Sequence, residues 1–251
     1  MHRFFVSPDT LCGERFTLTG PLAQQLGRVL RLHRGEHIAL LDDSGWAYEV
    51  ELESVSPVQV ITHLVGRSQP ASEPQVRLVL YQALAREQKY DWVLQKGTEL
   101  GVSVFVPLIT ERSIVSVRQG SGESKLPRWQ RIITEAAEQS GRARLPRIVP
   151  ARPFAQACEP APPGVLAFIA WVSADALPLG QALRTVGAQP AMPLQEIRLF
   201  VGPEGDFSPA EIALARQADI VPVSLGPRIL RTETAALVAF SAILYALGEF
   251  G

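Results

Sequence analysis

Cysteine is nearly missing from this chain. Cys12 and Cys158 are its two thiols, far apart and without a CxxC or a His partner at ligand spacing, so neither a disulfide framework nor a zinc site is indicated and no metal is expected. Lysine is almost as scarce. Lys89, Lys96 and Lys125 are the only ones, and nearly every cation is an arginine. No apolar run approaches the roughly 20 residues that span a bilayer. The N-terminal Met1-His-Arg-Phe-Phe-Val6 has neither the apolar core nor the small-residue cleavage site of a signal peptide. A cytoplasmic protein with no membrane partner is therefore expected. There is no GxxxxGK followed by Ser or Thr, which removes a P-loop. The strand ending at Tyr81 runs into Gln82-Ala-Leu-Ala85 rather than GxGxxG, which disfavours a dinucleotide.

What is present is an ordinary globular composition, 47% hydrophobic and 20% charged over 251 residues, enough for one large domain or two modest ones. The net charge is −1, but it is unevenly spread: from Arg112 to Arg152 nine Lys/Arg, Arg118 among them, face three Glu. An arginine-rich stretch suits phosphate, because the planar guanidinium donates two hydrogen bonds at once, and equally suits a solvated charged face. No internal repeat is visible.

The first 70 residues are rich in short strands. Pro21 opens a helical segment with Leu22, Leu26, Val29 and Leu30 at helical spacing, and His37–Leu41 reads as a strand. Trp46–Leu52 alternates apolar and polar, and Val58–Val65 adds another strand, which together suggest a small barrel. The boundary falls in the polar, Pro-bearing 67–74 segment. Beyond it strands and helices alternate: strands at Val76–Tyr81, Val104–Ile109, Val165–Val172, Ile197–Val201 and Val221–Leu225, with helices between them and a last helix over Glu233–Leu247. Strands apolar throughout indicate an α/β domain with a parallel sheet and helices on both faces. Turn-rich connections fall at 158–164 and 188–194. Ser208-Pro-Ala-Glu211 is a capping box with Pro at the first helical position.

Two strand ends are the most informative places. Leu199-Phe-Val-Gly202-Pro-Glu-Gly205 and Val223-Ser-Leu-Gly226 are apolar runs that break into glycine-bearing loops and then into helices. Glycine lets backbone approach a ligand, and ligands of open α/β sheets bind at the carboxyl ends of strands. A small-molecule pocket between two adjacent strands is expected there.

Five ordered motifs carry a resemblance. Gln95–Gly101, Thr110–Ser113, Glu135–Arg142, Gly202-Pro-Glu-Gly-Asp206 and Ser224-Leu-Gly-Pro-Arg-Ile-Leu-Arg-Thr-Glu-Thr-Ala235 resemble the bacterial 16S rRNA uracil-N3 methyltransferase family, of the SPOUT class. Met1–Phe5 and Gly27–Leu32 are similar to that family's N-terminal domain. The departures are Asp206, where the family has a second Gly, and Gly97, where it has Ala. The resemblance implies a PUA-like RNA-binding β-barrel domain over 1–70 and a trefoil-knotted S-adenosylmethionine-binding domain over 75–251. It implies a homodimer and a 16S rRNA or 30S subunit substrate, with no DNA partner. It also implies that the cofactor is held by three loops: Ile169, Ala170 and Trp171 with Val172; Val201, Gly202, Pro203, Glu204 and Gly205; and Leu225, Gly226, Ile229, Leu230 and Thr232.

Under that reading Leu225, Ile229 and Leu230 form an apolar slot for adenine, or pack as core. Glu204 either hydrogen-bonds a ribose or caps its loop. Thr232 is a helix N-cap candidate. Uracil N3 must lose its proton before it attacks a methyl group, and a cation near O2 or O4 would stabilise the developing imidate. Arg231 is the first candidate for that catalytic role and Arg228 the second. Arg3, Arg28, Arg31, Lys96, Arg112, Gln139 and Arg142 are RNA-contact candidates, although Lys96 and Glu99 at i, i+3 also suit a pair with each other. Methylation of another RNA position (a tRNA base or a ribose 2′-OH) and a non-catalytic RNA-binding assembly factor are the alternatives.

Overall fold

In the computed structural model, residues 1–113, 123–187 and 193–250 are described. Arg118 and most of the 188–194 connection lie outside them. The chain divides into two compact units: Met1–Glu73 with Thr134–Leu145, and Pro74–Ile133 with Pro146–Gly251.

The first unit is built on β1 (His2–Phe5), β2 (Arg15–Thr19), β3 (His37–Leu41), β4 (Ala47–Val55) and β5 (Gln59–Ser68). They pair in the order β1-β3-β4-β5-β2, antiparallel except for β1 with β3. Alternation supplies the core: Phe16 and Leu18 from β2, Ile38 and Leu40 from β3, Val50 and Leu52 from β4. The helical segment is shorter than its apolar spacing predicts. α1 (Gly20–Gln24), with Pro21 in its first turn, passes into a π-helical turn over Gln25–Val29, closed by Leu30 N–H donating to the Gln25 carbonyl at 2.9 Å. Leu26 is fully buried, whereas the wider turn leaves Val29 73% exposed.

A returning segment completes this unit. Arg142, expected at an RNA surface, is instead buried, with 3% of its side chain exposed, and its Nη2 pairs with Glu73 Oε2 at 2.6 Å. The same carboxylate accepts from the backbone N–H groups of Ala143 at 3.0 Å and Arg144 at 3.1 Å. Asp43 takes the Leu145 N–H at 2.6 Å, and Glu138 takes the Phe5 N–H at 3.0 Å. The acid that answers Arg142 lies 69 residues upstream. Part of the basic run is thus spent on structure, as it is again where Arg128 pairs with Asp91 at 2.9 Å.

The second unit carries β6 (Arg77–Ala83), α2 (Glu87–Glu99), β7 (Val102–Ile109), α3 (Leu126–Ser140, shared with the first unit), β8 (Arg147–Ile148), β9 (Arg152–Pro153), α4 (Phe154–Ala157), β10 (Val165–Ala170), β11 (Leu177–Pro178), α5 (Leu179–Gly187), β12 (Glu196–Val201), α6 (Pro209–Gln217), β13 (Val221–Ser224) and α7 (Thr232–Ala246). The sheet order is β11-β13-β10-β12-β6-β7-β8, with β9 on β7, and its pairings are parallel. The two glycine-loop strands are therefore not adjacent: β10 lies between β12 and β13. Ala167, Ile169 and Phe200 pack with α4 and α6 in one cluster. The alternate residues Phe168 and Leu199 are also fully buried, so both faces are covered. On α7, Ala236, Phe240 and Leu244 are core, and the exposed apolar groups are Val238 and Tyr245. Gly97 on α2 fits its neighbour: a Cβ there would lie 2.8 Å from the Phe105 ring. No helix among the described residues is long and apolar enough to cross a membrane.

Glu73→Gln leaves the Arg142 guanidinium buried without its counter-ion. A loss of about 3 kcal/mol is expected in urea unfolding. Gly97→Ala is expected to cost about 1–3 kcal/mol by overpacking against Phe105, in the same measurement.

Candidate active site

Because β10, β12 and β13 run parallel as neighbours, their following loops emerge at one edge of the sheet. Those loops, with the start of α7, line a cavity of about 840 Å³, within the range of small-molecule sites. Its geometry rests on Thr232. The buried Thr232 hydroxyl donates to the Gly202 carbonyl at 2.5 Å and accepts from Gln82 Nε2 at 2.8 Å. One side chain thereby ties the end of β6, the loop after β12 and the first residue of α7. The N-cap position itself belongs to Arg231, whose carbonyl accepts the Thr234 and Ala235 N–H groups at 2.9 and 2.8 Å.

The glycines divide by cause. Gly202 is favoured by packing, since a Cβ would lie 3.1 Å from the Phe207 ring, which would have to give by a few tenths of an ångström. Gly226 has φ +109° with open space where a Cβ would stand, so backbone conformation selects it and leaves room before the loop. Behind these loops the capping box forms as expected: Ser208 Oγ accepts from Glu211 N–H, and Glu211 Oε2 accepts from Ser208 N–H at 2.8 Å.

The cavity wall carries both signs of charge. Lys89, which the sequence reading passed over, lies 2.8 Å from Glu204 and 3.7 Å from Glu233. Burial pushes the Glu204 carboxyl up, but the Lys89 ammonium outweighs it and holds the group below the usual carboxylate range. Arg228 and Arg231 line the opposite loop with exposed side chains. Asp206 also lines the wall, in the left-handed region at φ +60°. Its carboxylate accepts the Phe207 N–H at 2.8 Å, and burial raises it above the ordinary aspartate range against the opposing pull of hydrogen bonds from Phe207 and Val172. The half-buried Cys158 thiol, pushed up to about 12 first by burial and then by Glu211, is no nucleophile at neutral pH.

Every expected cofactor-loop residue lines this cavity except Ile169, which is wholly buried in the sheet core. Leu225 and Leu230 are half-buried and suit an apolar slot, whereas Ile229 is 85% exposed at the rim. Val172, Ser224 and Ala235 join the lining as well. Of the RNA-contact candidates, Arg3, Arg28, Arg31 and Gln139 are exposed in the first unit. Lys96 pairs with Glu99 at 2.7 Å. Arg112 donates to the Gly205 carbonyl at 3.0 Å and so braces the loop after β12. Among the described residues no group of three or more His, Cys, Asp or Glu is placed to hold a metal ion.

A family model described as an RNA methyltransferase domain matches residues 72–244. Over 231 residues the chain is 32% identical to the ribosomal RNA small subunit methyltransferase E of Bacillus subtilis, covering 92% of this chain and 90% of that relative. The chain belongs to the ribosomal RNA small subunit methyltransferase E family. The protein of that name from Synechocystis is 36% identical over 243 residues, 96% of this chain and 77% of the relative. The crystal structure of a ribosomal RNA small subunit methyltransferase E from Neisseria gonorrhoeae, bound to S-adenosyl methionine, superposes with a TM-score of 0.86 at 31% identity, covering 98% of this chain and 97% of that one. All three cavity loops fall within the RNA methyltransferase match, and the ribosomal RNA small subunit methyltransferase E relatives extend the likeness over nearly the whole chain.

Thr232→Val removes the hydroxyl and leaves Gln82 and the Gly202 carbonyl without their partner. A loss of about 1–3 kcal/mol is expected in urea unfolding, with Thr232→Ser keeping most of the stability.

Proposed function

We propose that this protein transfers the methyl group of S-adenosylmethionine to N3 of a specific uracil in 16S rRNA of the small ribosomal subunit. The observation that carries the reading is the cavity formed by three parallel-strand loops with Arg231 at its rim, in a chain of this family. The cavity volume, the Leu225–Leu230 wall and the open space before Gly226 fit the cofactor. When bound, the cofactor supplies a methyl group on an electron-poor sulfonium.

The chain's own residues supply position and charge. Leu225 and Leu230 offer an apolar slot to the adenine, and the backbone of 202–205 and 225–226 approaches its polar edges. Arg231 directs an exposed guanidinium over the cavity at the N-terminus of α7, where it stabilises the anionic uracil at O2 or O4 as the N3 proton leaves. Arg228 is its neighbour in that role. Much of the remaining acceleration comes from alignment of N3 with the methyl group, and the target base must be unstacked to enter.

The first unit is the RNA-docking domain, a PUA-like barrel whose exposed Arg3, Arg28 and Arg31 contact phosphate. Gln139 extends that contact, and Lys96, with a share of its charge already used, is a separate RNA-contact residue of the second unit. The second unit is a SPOUT-type trefoil knot, a reading supported by β10 lying between β12 and β13. The enzyme works as a homodimer in the cytoplasm, and exposed Trp92, Val238 and Tyr245 offer α2 and α7 as the apolar face for a second copy.

The test is methyl transfer from labelled S-adenosylmethionine to purified 30S subunits lacking the modification, followed by nucleoside mass spectrometry. 3-Methyluridine is the expected product. Label in another base or in a ribose 2′-OH overturns the target, and no label in 30S, naked rRNA or tRNA overturns the activity. Arg231→Ala is expected to lower kcat by about 100-fold or more with cofactor affinity within a few fold of the parent.

A further inference from the structure

Among the described residues, Asp206 is the cavity-lining carboxylate with no ion-pair partner, and the Arg112 charge acts on it only from a distance. Glu204, the other one, is paired with Lys89, whose ammonium also reaches Glu233 behind the lining. Asp206 forms no ion pair among the described residues. Its hydrogen-bond donor is the neutral backbone N–H of Phe207 at 2.8 Å, and the guanidinium of Arg112 is engaged with the Gly205 carbonyl one residue away. Arg228 and Arg231 belong to the other loop, after β13.

The conformation of Asp206 is specific as well. A φ of +60° is strained for most residues and costs least for Gly, Asn and Asp. Phe207 follows it into the core, so the backbone course is set by packing. The Phe207 amide aims the carboxylate, which stands on the loop after β12 at the cavity wall. The result is a half-buried negative charge, fixed in direction, on a cavity wall whose other acid, Glu204, already has Lys89 as its partner. Such a charge is costly until a positive group meets it.

We propose, resting on the cofactor reading above, that Asp206 is the counter-charge for the positively charged methionyl end of S-adenosylmethionine. That end carries two cationic centres, the sulfonium and the α-ammonium, and both are absent from the neutral nucleoside 5′-methylthioadenosine. The cavity is then polarised in a useful sense: the cationic end of the cofactor meets Asp206, and the anionic uracil meets Arg231. Asp206 is a binding and positioning residue here, and no covalent step passes through it.

The experiment is calorimetric titration of three ligands into the purified full chain: S-adenosylmethionine, S-adenosylhomocysteine and 5′-methylthioadenosine. Each is measured for the parent, Asp206→Asn and Asp206→Gly. Asn keeps an acceptor for the backbone amides and tolerates the positive φ. Gly keeps the φ and removes the carboxylate. Both variants are expected to weaken S-adenosylmethionine by about tenfold or more, the worth of a charge-assisted contact, and to leave 5′-methylthioadenosine unchanged. S-Adenosylhomocysteine weakening in step identifies the ammonium as the contact; its holding constant identifies the sulfonium. If Asp206→Asn binds S-adenosylmethionine as the parent does, or if all three ligands weaken together, the proposal is overturned. A parent that binds none of the three overturns the cofactor reading itself, which is a separate result.

Discussion

A single hydroxyl decides where the cavity is. Thr232 is buried, and its oxygen is both the donor to the carbonyl of Gly202 and the acceptor for the amide of Gln82. Neither partner can turn to water, so each bond is worth most as a penalty avoided. The consequence is geometric. The loop after β12 cannot drift from the start of α7, and the helix cannot shift its first turn without unpairing the strand β6. Arg231 precedes this tied residue, so its guanidinium projects from a backbone whose position is set by the sheet.

Around that fixed edge the charges are sorted by loop. Lys89 from α2 neutralises Glu204 and reaches Glu233. The loop after β13 carries two exposed arginines, and the loop after β12 carries Asp206. The braces are backbone contacts: Arg112 on the Gly205 carbonyl and the Phe207 amide on Asp206. A methyltransferase needs a cationic donor and an electron-rich acceptor held face to face. In the proposed arrangement, opposite charges on separate loops would orient both without rearrangement during the reaction.

Much of this was legible in the residues. The central strands of the second unit are largely apolar because they are covered on both faces, a pattern expected of buried parallel strands. Ser208 and Glu211 announced their helix because a capping box is local chemistry. Gly202 and Gly226 marked the cavity loops, for two different reasons that only coordinates separate: the ring of Phe207 beside one and a positive φ at the other. What stayed hidden depends on distant partners. Sheet order is a long-range property, so nothing near Val201 or Ser224 tells that β10 separates them. Lys89 could be linked to Glu204 only once α2 was placed. Arg142 looked like surface in a basic run, because its acid lies in another part of the chain. The π-turn at Gln25–Val29 defeated a period of 3.6 that otherwise reads well.

The pairing of Glu73 with Arg142 also bears on how the molecule is made. The first unit lacks Thr134–Leu145 until those residues have been synthesised, although its own five strands end at Ser68. Glu73 and its buried partner are separated by 69 positions. At roughly 5–20 residues per second, several seconds pass on the ribosome between one and the other. During that interval Glu73, just after the last strand of the unit, has no Arg142 to pair with, and the unit is finished only after the whole first βαβ of the other unit (β6, α2 and β7) has been synthesised.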